Sequence, residues 1–293
     1  MRMMTPLQII DKTNRSSVKL GYRPQAASTS IETDVFEFAL LRQRSNPDRL
    51  QMSAVLTQGA RQLCLAGLRQ THPFLSESAL AQAIAKAFLG NDCPPEFIPS
   101  GTEMTWIQDS IALAIQLQTI FADLDIPHYI TGGVAAATYG EPRTTRDLDM
   151  VISLSLDRLD ELVQSLENEG FYVPGVEDLH SGQLQTLGIT HRETIARADL
   201  MLAGTNSFEQ AQFSRRWAIE IPNRGTLYLA SPEDIILSKL QWGTQSQSEK
   251  QWRDVLGILK VQSQTLDFGY LTCEAETLGL TQALLQAITE AGL

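Results

Sequence analysis

The sequence predicts an α+β protein in which a mixed sheet flanked by helices lies between an N-terminal and a C-terminal helical region. Apolar residues recur at helical spacing between residues 48 and 88. Helical and extended patterns then alternate from Trp106 to Leu202. Ser231 as N-cap, followed by Pro232, opens a mostly helical remainder. We therefore expect three parts: an arm and helical region over 1–100, a core over 101–229 and a helical region over 230–293.

The N-terminal part is predicted to be an extended arm followed by helices. Residues 1–35 show little periodicity, whereas 48–70 and 76–88 carry apolar residues at helical spacing and Gly90 ends the second run. The segment 91–101 contains three prolines and closes on a glycine, which is typical of a linker.

The core is predicted from alternating patterns. Its helices are expected at 106–124, 134–139 and 156–169, and its extended segments before Ile130 and at 147–154, 171–173, 187–190 and 198–202.

Composition bounds the class of protein. At 43% hydrophobic and 19% charged residues, the chain has an ordinary globular composition. Three widely spaced cysteines argue against a disulfide framework and a cysteine zinc site, and the four histidines lack ligand-like spacing. The sequence shows no secretion signal and no run of about 20 apolar residues. These features predict a soluble cytoplasmic protein without a membrane partner.

Charge is distributed unevenly along the chain. Residues 1–70 carry 10 Lys and Arg against 5 Asp and Glu, whereas 101–293 carry 12 against 26. A surface so acidic disfavours broad nonspecific nucleic-acid binding by the C-terminal two-thirds. The basic N-terminal part could contact an RNA, or it could be a mobile arm or a solvated face.

Two carboxylates form the first element of a candidate site. Asp147 and Asp149 are separated by one residue, so that on a strand both side chains project from one face. A cation between them would relieve their repulsion, and Mg²⁺ prefers oxygen ligands. An isolated Asp-x-Asp pair is also common as plain surface charge.

A glycine pair strengthens the interpretation. Gly132 and Gly133 follow a predicted strand and precede a short helix, where backbone amides could approach a phosphate. Alone, the pair would indicate a tight turn. The order strand, Gly-Gly, short helix and Asp-Leu-Asp strand is more specific than any of its parts.

The segment 129–152 resembles the signature of the nucleotidyltransferase superfamily, which has a polymerase-beta-like fold. Its closer likeness is to bacterial AbiEii-type nucleotidyltransferases, with the pattern GG-x-A…YG-x-PR-x-T-x-D-[LI]-D; the residues that fit are Gly132, Gly133, Ala135, Tyr139, Gly140, Pro142, Arg143, Thr145, Asp147, Leu148 and Asp149. The segments 230–240 and 251–259 are similar to the helical block of that group. The resemblance covers residues 104–260.

The resemblance implies roles for individual residues. Asp147 and Asp149 would hold divalent Mg²⁺ or Mn²⁺, with Asp199 as the third carboxylate of the metal site or as the base. Asp199 could instead belong to a turn or a salt bridge. The residues that would bind the nucleoside triphosphate are Gly132, Gly133, Arg143, Thr145, Lys239 and Asp254.

Two cationic residues have alternative interpretations. Lys239 lies in an apolar helical run, where it would contact phosphate with the help of Asp254, or would only pair with that acid. Arg143 would clamp a phosphate, or would pair with Glu141 or Asp147.

The resemblance implies an enzyme that moves a nucleoside monophosphate from a nucleoside triphosphate to an acceptor hydroxyl and releases pyrophosphate. The toxin-like relatives suggest tRNA as acceptor, while a small molecule or a protein is an alternative. A second hypothesis is a noncatalytic module that binds a nucleotide or a partner. A third gives residues 1–100 a protein-docking role in a toxin–antitoxin-like complex.

Overall fold

The structure is a computed structural model that describes residues 19–108, 110–246 and 248–293. A seven-stranded mixed sheet is flanked by helices, and further helices precede and follow it. The predicted mixed sheet flanked by helices, with helical regions at both ends, is confirmed. Most of the predicted arm, 1–18, lies outside the described residues.

Three helices open the described chain: α1 (Ile31–Arg42), α2 (Asn46–Thr71) and α3 (Glu77–Leu89). Each begins after a serine whose side chain accepts a hydrogen bond from a first-turn amide, at Ser30, Ser45 and Ser76. Such caps satisfy amides that would otherwise lack a partner. The predicted arm over 1–35 is therefore too long, because its last five residues belong to α1.

The segment after α3 has no helix or strand over residues 93–102, as expected for a linker. It is nevertheless packed, since Phe97 is buried in a cluster with Trp106. Two helices follow, α4 (Glu103–Trp106) and α5 (Ser110–Asp123), where the sequence predicts one helix from Trp106 to Leu124. This part of the chain is fixed to the body of the protein.

Seven strands form the sheet, in the spatial order β3-β4-β5-β2-β1-β7-β6. Strand β2 is parallel to β5, β1 is parallel to β7, and the other neighbouring pairs are antiparallel. Their bounds are β1 (His128–Ile130), β2 (Asp147–Ile152), β3 (Phe171–Tyr172), β4 (Thr186–His191), β5 (Arg197–Leu202), β6 (Trp217–Ile221) and β7 (Gly225–Leu229).

The hairpin of β6 and β7 was not predicted from the sequence. Its strands are short, and Asn223 adopts a positive φ of 61° in the turn between them. Buried residues alternate with more exposed ones along both strands, the pattern of a half-buried hairpin. Five-residue runs of this kind are ambiguous when read alone, because their turn carries no Asn-Gly or Asp-Gly signal.

The remaining helices are α6 (Gly132–Tyr139), α7 (Leu159–Asn168), α8 (Val176–His180), α9 (Ser207–Arg215), α10 (Pro232–Ser246), α11 (Glu249–Gln262), α12 (Phe268–Thr277) and α13 (Thr281–Ala291). Neither α8 nor α9 is predicted from the sequence.

Helix α6 lies in the middle of the helical layer. It packs against α2, α10 and α11, and Ala135, Ala136 and Tyr139 on it are buried. At its C-terminal end, a Cβ on Gly140 would lie 2.8 Å from the backbone nitrogen of Ile258. This close approach to α11 fixes the axis of α6, and with it the position of its N-terminus beside β2.

A buried ion pair attaches the N-terminal segment to α11. Lys260 Nζ lies 2.7 Å from Asp34 Oδ2, and both side chains are 1% exposed. The same ammonium donates to the carbonyl oxygen of Arg23 at 2.7 Å, and the hydroxyl of Tyr22 donates to Asp34 at 2.5 Å. Removing one partner of such a pair costs about 3–5 kcal/mol, because the other charge stays buried. The first described residues thus belong to the folded body.

None of the helices in the described parts of the chain combines the length and the apolar character that crossing a membrane requires.

Candidate metal centre and its two clefts

Three aspartates meet on neighbouring strands of the sheet. Because β2 and β5 run parallel, Asp149 lies directly beside Asp199, and Asp147 follows the same face of β2 one pleat away. One carboxylate oxygen from each lies within 4.8 Å of the others, and all three side chains are partly exposed. They are the group of possible metal ligands that the described residues contain. The three carboxylates proposed from the sequence therefore lie together.

The glycine pair explains how these carboxylates can lie so close to α6. A Cβ on Gly132 would lie 1.9 Å from Asp149 Oδ2, and the residue has a φ of +59°. Both the space and the backbone conformation therefore require glycine. The backbone N–H of Gly133 donates to the same Asp149 oxygen over 3.2 Å. The helix N-terminus thus faces the carboxylates.

Two of the carboxylates, those of Asp149 and Asp199, lie in an environment that disfavours their ionised form. Burial raises the pKa of Asp149, and the charge of Asp147 raises it further. Burial also raises the pKa of Asp199, an effect that Arg197 opposes. A divalent cation stabilises the ionised form of neighbouring carboxylates, and oxygen-only ligands suit Mg²⁺ and Mn²⁺. The site has the chemistry of an oxygen-ligand metal centre.

Arg197 belongs to this site, although it was not among the residues predicted from the sequence. Its Nη2 donates to Asp199 Oδ1 at 2.7 Å, and its Nη1 donates to the carbonyl oxygen of Asp92 at 3.2 Å. The signal was present, because residues 197 and 199 share a face of one strand. Gly188, opposite Asp199 on β4, leaves the room: a Cβ there would lie 2.8 Å from Arg197 Nη2. Asp199 is thus both a member of the carboxylate group and a salt-bridge partner.

Asp254 on α11 joins two of the predicted phosphate-binding cations. Arg143 donates to both of its oxygens, from Nε at 2.8 Å and from Nη2 at 2.7 Å. Lys239 Nζ lies 2.8 Å from Asp254 Oδ2 and donates to Gln251 Oε1 at 2.7 Å. The predicted pairing of Lys239 with Asp254 is present. Arg143 pairs with Asp254 and not with Glu141 or Asp147, the alternative partners proposed from the sequence, and Glu141 binds Arg253.

Burial and charge shift the pKa values of this cluster. Burial lowers the pKa of Lys239, and the charge of Asp254 offsets part of that effect. Burial alone would raise the pKa of Asp254, but the hydrogen bond from Arg143 and the charge of Lys239 hold it below its ordinary value. Asp149 also acts on Lys239, raising its pKa. The cluster is therefore electrostatically coupled to the carboxylates.

Thr145 packs against the glycine pair. The residue is buried, and its backbone N–H donates to Thr57 Oγ1 at 3.2 Å. Its Cγ2 would lie 3.3 Å from a Cβ on Gly133, so the threonine fills the space that this glycine leaves. Its hydrogen bond to α2 connects the site to the N-terminal helices.

Two clefts of opposite charge reach the carboxylates. The first, of about 890 Å³, ends at Asp147; we call it the basic cleft, and its cations are Arg61, Arg143, Arg146, Lys250 and Arg253. The second, of about 810 Å³, ends at Asp149 and Asp199; we call it the acidic cleft, and its other charged residues are Glu209, Glu274 and Lys239. The metal centre lies where both clefts end.

No family model matches the chain, and no curated protein matches it. Among solved structures, it is similar to an antigenic nucleotidyltransferase-like protein from Paracoccidioides brasiliensis, with 20% identity over 61% of this chain and 91% of that one and a TM-score of 0.40. The chain is also similar to the lincomycin-bound lincosamide antibiotic adenylyltransferase LnuA, with 15% identity over 50% of this chain and 94% of that one and a TM-score of 0.36. For ANT(2")-Ia in complex with adenylyl-2"-tobramycin, the identity is 16% over 61% of this chain and 96% of that one, with a TM-score of 0.37.

Replacing Gly132 with alanine is expected to disturb the metal centre, because the new Cβ would displace the Asp149 carboxylate. We expect Mn²⁺ affinity to fall about tenfold or more, as it does when a residue that orients metal ligands is lost. Calorimetric Mn²⁺ titration measures this, with circular dichroism as the check on folding. Gly67→Ala is the control: its Cβ would meet nothing within 4 Å on an exposed face of α2. Equal affinity in both variants would contradict the assignment.

Metal affinity is expected to depend on pH because the carboxylates must be ionised to bind. The pKa values of Asp149 and Asp199 are raised, so protons compete with the metal at a higher pH than at ordinary aspartates. As the pH is lowered, Mn²⁺ affinity measured by calorimetry should therefore begin to fall at a higher pH than it would for carboxylates with the ordinary aspartate pKa of about 3.9. An affinity that stays constant down to an ordinary aspartate pKa of about 3.9 would contradict this electrostatic description.

Proposed function

We propose that the protein is a metal-dependent nucleotidyltransferase that moves a nucleoside monophosphate from a nucleoside triphosphate to an acceptor hydroxyl and releases pyrophosphate. The observation that carries the proposal is the group of Asp147, Asp149 and Asp199 within 4.8 Å of one another, facing the N-terminus of α6 at Gly132 and Gly133. Carboxylates and helix-end amides together provide a place for metal ions and phosphates.

Asp147, Asp149 and Asp199 would hold the metal through their carboxylate oxygens. When bound there, Mg²⁺ or Mn²⁺ would neutralise triphosphate charge and favour ionisation of the attacking hydroxyl. The three acids fit such an ion because Gly132 leaves space for the Asp149 carboxylate beside α6. Metal binding would also remove the repulsion that raises the pKa of Asp149.

The triphosphate would be bound by the residues around Asp254. Arg143 would hold a phosphate with the part of its guanidinium that points away from Asp254, and the amides of Gly132 and Gly133 would face the phosphate chain. Lys239 would lie near the reacting phosphate, because it lines the same cleft as Asp149 and Asp199. Asp254 would position Arg143 and Lys239, and Thr145 would support the Gly-Gly turn from below.

The reaction would transfer the nucleoside monophosphate group through substitution at its phosphorus. The acceptor oxygen forms a bond to the α-phosphorus while the bond to the bridging oxygen breaks, and pyrophosphate leaves with that electron pair. The oxygen of Asp199 that is not bound to Arg197 would either complete the metal site or, as the alternative, accept the proton of the attacking hydroxyl. Burial raises the pKa of Asp199, and this brings it closer to that of a useful base.

A finer proposal concerns the biological setting. The resemblance of segment 129–152 to bacterial AbiEii-type proteins supports a toxin-like enzyme in the cytoplasm, with tRNA as one candidate acceptor. It equally supports residues 1–100 as the site for a protein partner. The division into an N-terminal region, a core over 101–229 and a C-terminal region is part of this proposal.

A noncatalytic binding module is the second candidate function. It is favoured by the internal pairing of the site, since Arg197 binds Asp199 and Asp254 binds both Arg143 and Lys239. Such a module would bind a nucleotide without turnover. The two candidates differ in one observable, which is covalent transfer of label.

The proposed transfer is tested with each α-labelled nucleoside triphosphate, Mg²⁺ or Mn²⁺, total RNA and a small-molecule extract as acceptor sources. We expect labelled product from the wild type and a loss of about 10³-fold or more in Asp147→Ala/Asp149→Ala, because the metal ligands are gone. Asp254→Asn should reduce kcat/KM less, about tenfold to a hundredfold, since it only positions Arg143 and Lys239.

Glu167→Ala is the control variant, because this exposed residue on α7 lies outside both clefts. It should retain wild-type transfer. Triphosphate binding without any transfer would support the binding module instead. Transfer that survives in the double aspartate variant would overturn the assignment of the metal centre.

A further inference from the structure

We propose that two copies of the chain associate through the outer face of α2, with the two helices antiparallel. The residues of this face recur at helical spacing and therefore share one side of α2. They are Met52, Val55, Leu56, Gly59, Leu63, Ala66 and Gly67, and we call them the α2 stripe. The inference concerns an interaction surface and does not depend on the proposed function.

The α2 stripe is apolar and is left uncovered by the described part of the chain. Met52, Val55 and Leu56 are between 40% and 54% exposed, and Leu63 is 76% exposed. From residue 50 to residue 68 the one charged residue is Arg61, which points to the other side of α2 and donates to the carbonyl oxygen of Trp106. The outer side of a surface helix normally carries charged residues. A contiguous exposed apolar face of this kind marks an interaction site.

Two glycines of the stripe are not required by packing within the described chain. A Cβ on Gly59 or on Gly67 would meet none of the described residues within 4 Å. Neither glycine has a positive φ. Glycine in a helix interior is destabilising relative to alanine, so the fold of one copy does not account for these two residues. Close approach of a second helix does, because the distance between packed helices depends on the side chains at their contact.

Large and small residues along the stripe complement each other when α2 lies antiparallel to its copy. With a twofold axis between Gly59 and Ala60, Met52 of one copy faces Gly67 of the other, and Leu56 faces Leu63. A large side chain opposite a glycine keeps the separation of the helices even. In a parallel pair, each residue would face its own copy, and the gaps at the glycines would stay empty. The stripe thus fits a second copy of itself, the arrangement of an isologous dimer.

The inner side of α2 is fixed to the core, which makes the stripe rigid. Arg49 Nε donates to the carbonyl oxygen of Thr138 at 2.8 Å, and Ser53 Oγ donates to that of Arg143 at 2.5 Å. The helix therefore cannot rotate to bury its outer side. A surface that is already ordered loses little conformational entropy when it binds.

The size of the surface sets the expected affinity. A helix of 26 residues is about 39 Å long and about 10 Å wide, so α2 offers roughly 400 Å² per copy. Standard interfaces bury about 800 Å² per partner. We therefore expect a reversible dimer with a Kd on the order of 1–100 µM.

The test is sedimentation equilibrium of the full chain from about 1 µM to about 300 µM, a range that spans the expected Kd. The average mass of the wild type should rise from 32.4 kDa toward twice that value. Leu63→Glu should raise the Kd about a hundredfold or more, because association would bury an unpaired charge. Its thermal unfolding should match that of the wild type, since Leu63 is exposed. Leu285→Glu, at an exposed leucine on α13, is the matched control and should leave the Kd unchanged.

Mixtures of charged variants test the antiparallel arrangement. Leu56→Lys and Leu63→Glu should each be monomeric alone, and an equimolar mixture of the two should form a dimer, because the opposite charges face each other. Leu63→Lys mixed with Leu63→Glu should not, since each charge would face Leu56 of the other copy. Gly59→Leu should raise the melting temperature of dilute protein, where one copy is present, but should weaken the dimer.

Several results would overturn the proposal. One is a wild type that stays at 32.4 kDa throughout the concentration range, and another is a dimer that survives in both Leu56→Lys and Leu63→Glu. Restoration only by the Leu63→Lys and Leu63→Glu mixture would overturn the antiparallel arrangement. A monomer that dimerises only after removal of residues 1–18 would assign the stripe to the chain's own N-terminal segment. A monomer that binds phosphatidylcholine vesicles, and loses this binding in Leu63→Glu, would assign it to a lipid surface.

Discussion

Repulsion among three carboxylates is the constraint to which the other residues of the site are adapted. Asp147, Asp149 and Asp199 place their oxygens within 4.8 Å of one another without a covalent link between strands. The parallel register of β2 and β5 brings them together. Groups of the protein that oppose their charges are the Gly133 amide, Arg197 and Lys239. The clustered carboxylates lower the stability of the folded protein but create a site at which a cation can bind, as is common at functional sites.

The ends of the described chain contribute to this site through α11. Asp254 on α11 fixes Arg143 and Lys239, and Lys260, six residues further along, holds Asp34 of the N-terminal segment. Gly140 brings α11 against the end of α6, so the same helix also fixes the Gly-Gly turn. Helices that the sequence places before and after the core thus set the geometry of a site built on two central strands.

The sequence predicts those features that local patterns encode. The Asp-x-Asp spacing on a strand, the glycine pair and the capped helix at Ser231 are legible because each depends on neighbouring residues. The partner of Arg143 could not be predicted from local sequence patterns, since Asp254 lies 111 residues away and only tertiary packing brings it near. Arg197 could have been identified from the sequence, because it lies two residues before Asp199 and the two side chains therefore share one face of the strand. The two clefts arise from packing between distant elements, so no local pattern predicts their charge.

The most direct test of the central claim is the position of a metal in a crystal of the protein grown with Mn²⁺ and a nonhydrolysable nucleoside triphosphate. Anomalous scattering locates manganese independently of any interpretation of the chain. We expect an anomalous peak among the carboxylates of Asp147, Asp149 and Asp199, with the triphosphate extending toward Arg143. A bound triphosphate elsewhere, with no anomalous peak at these three aspartates, would contradict it.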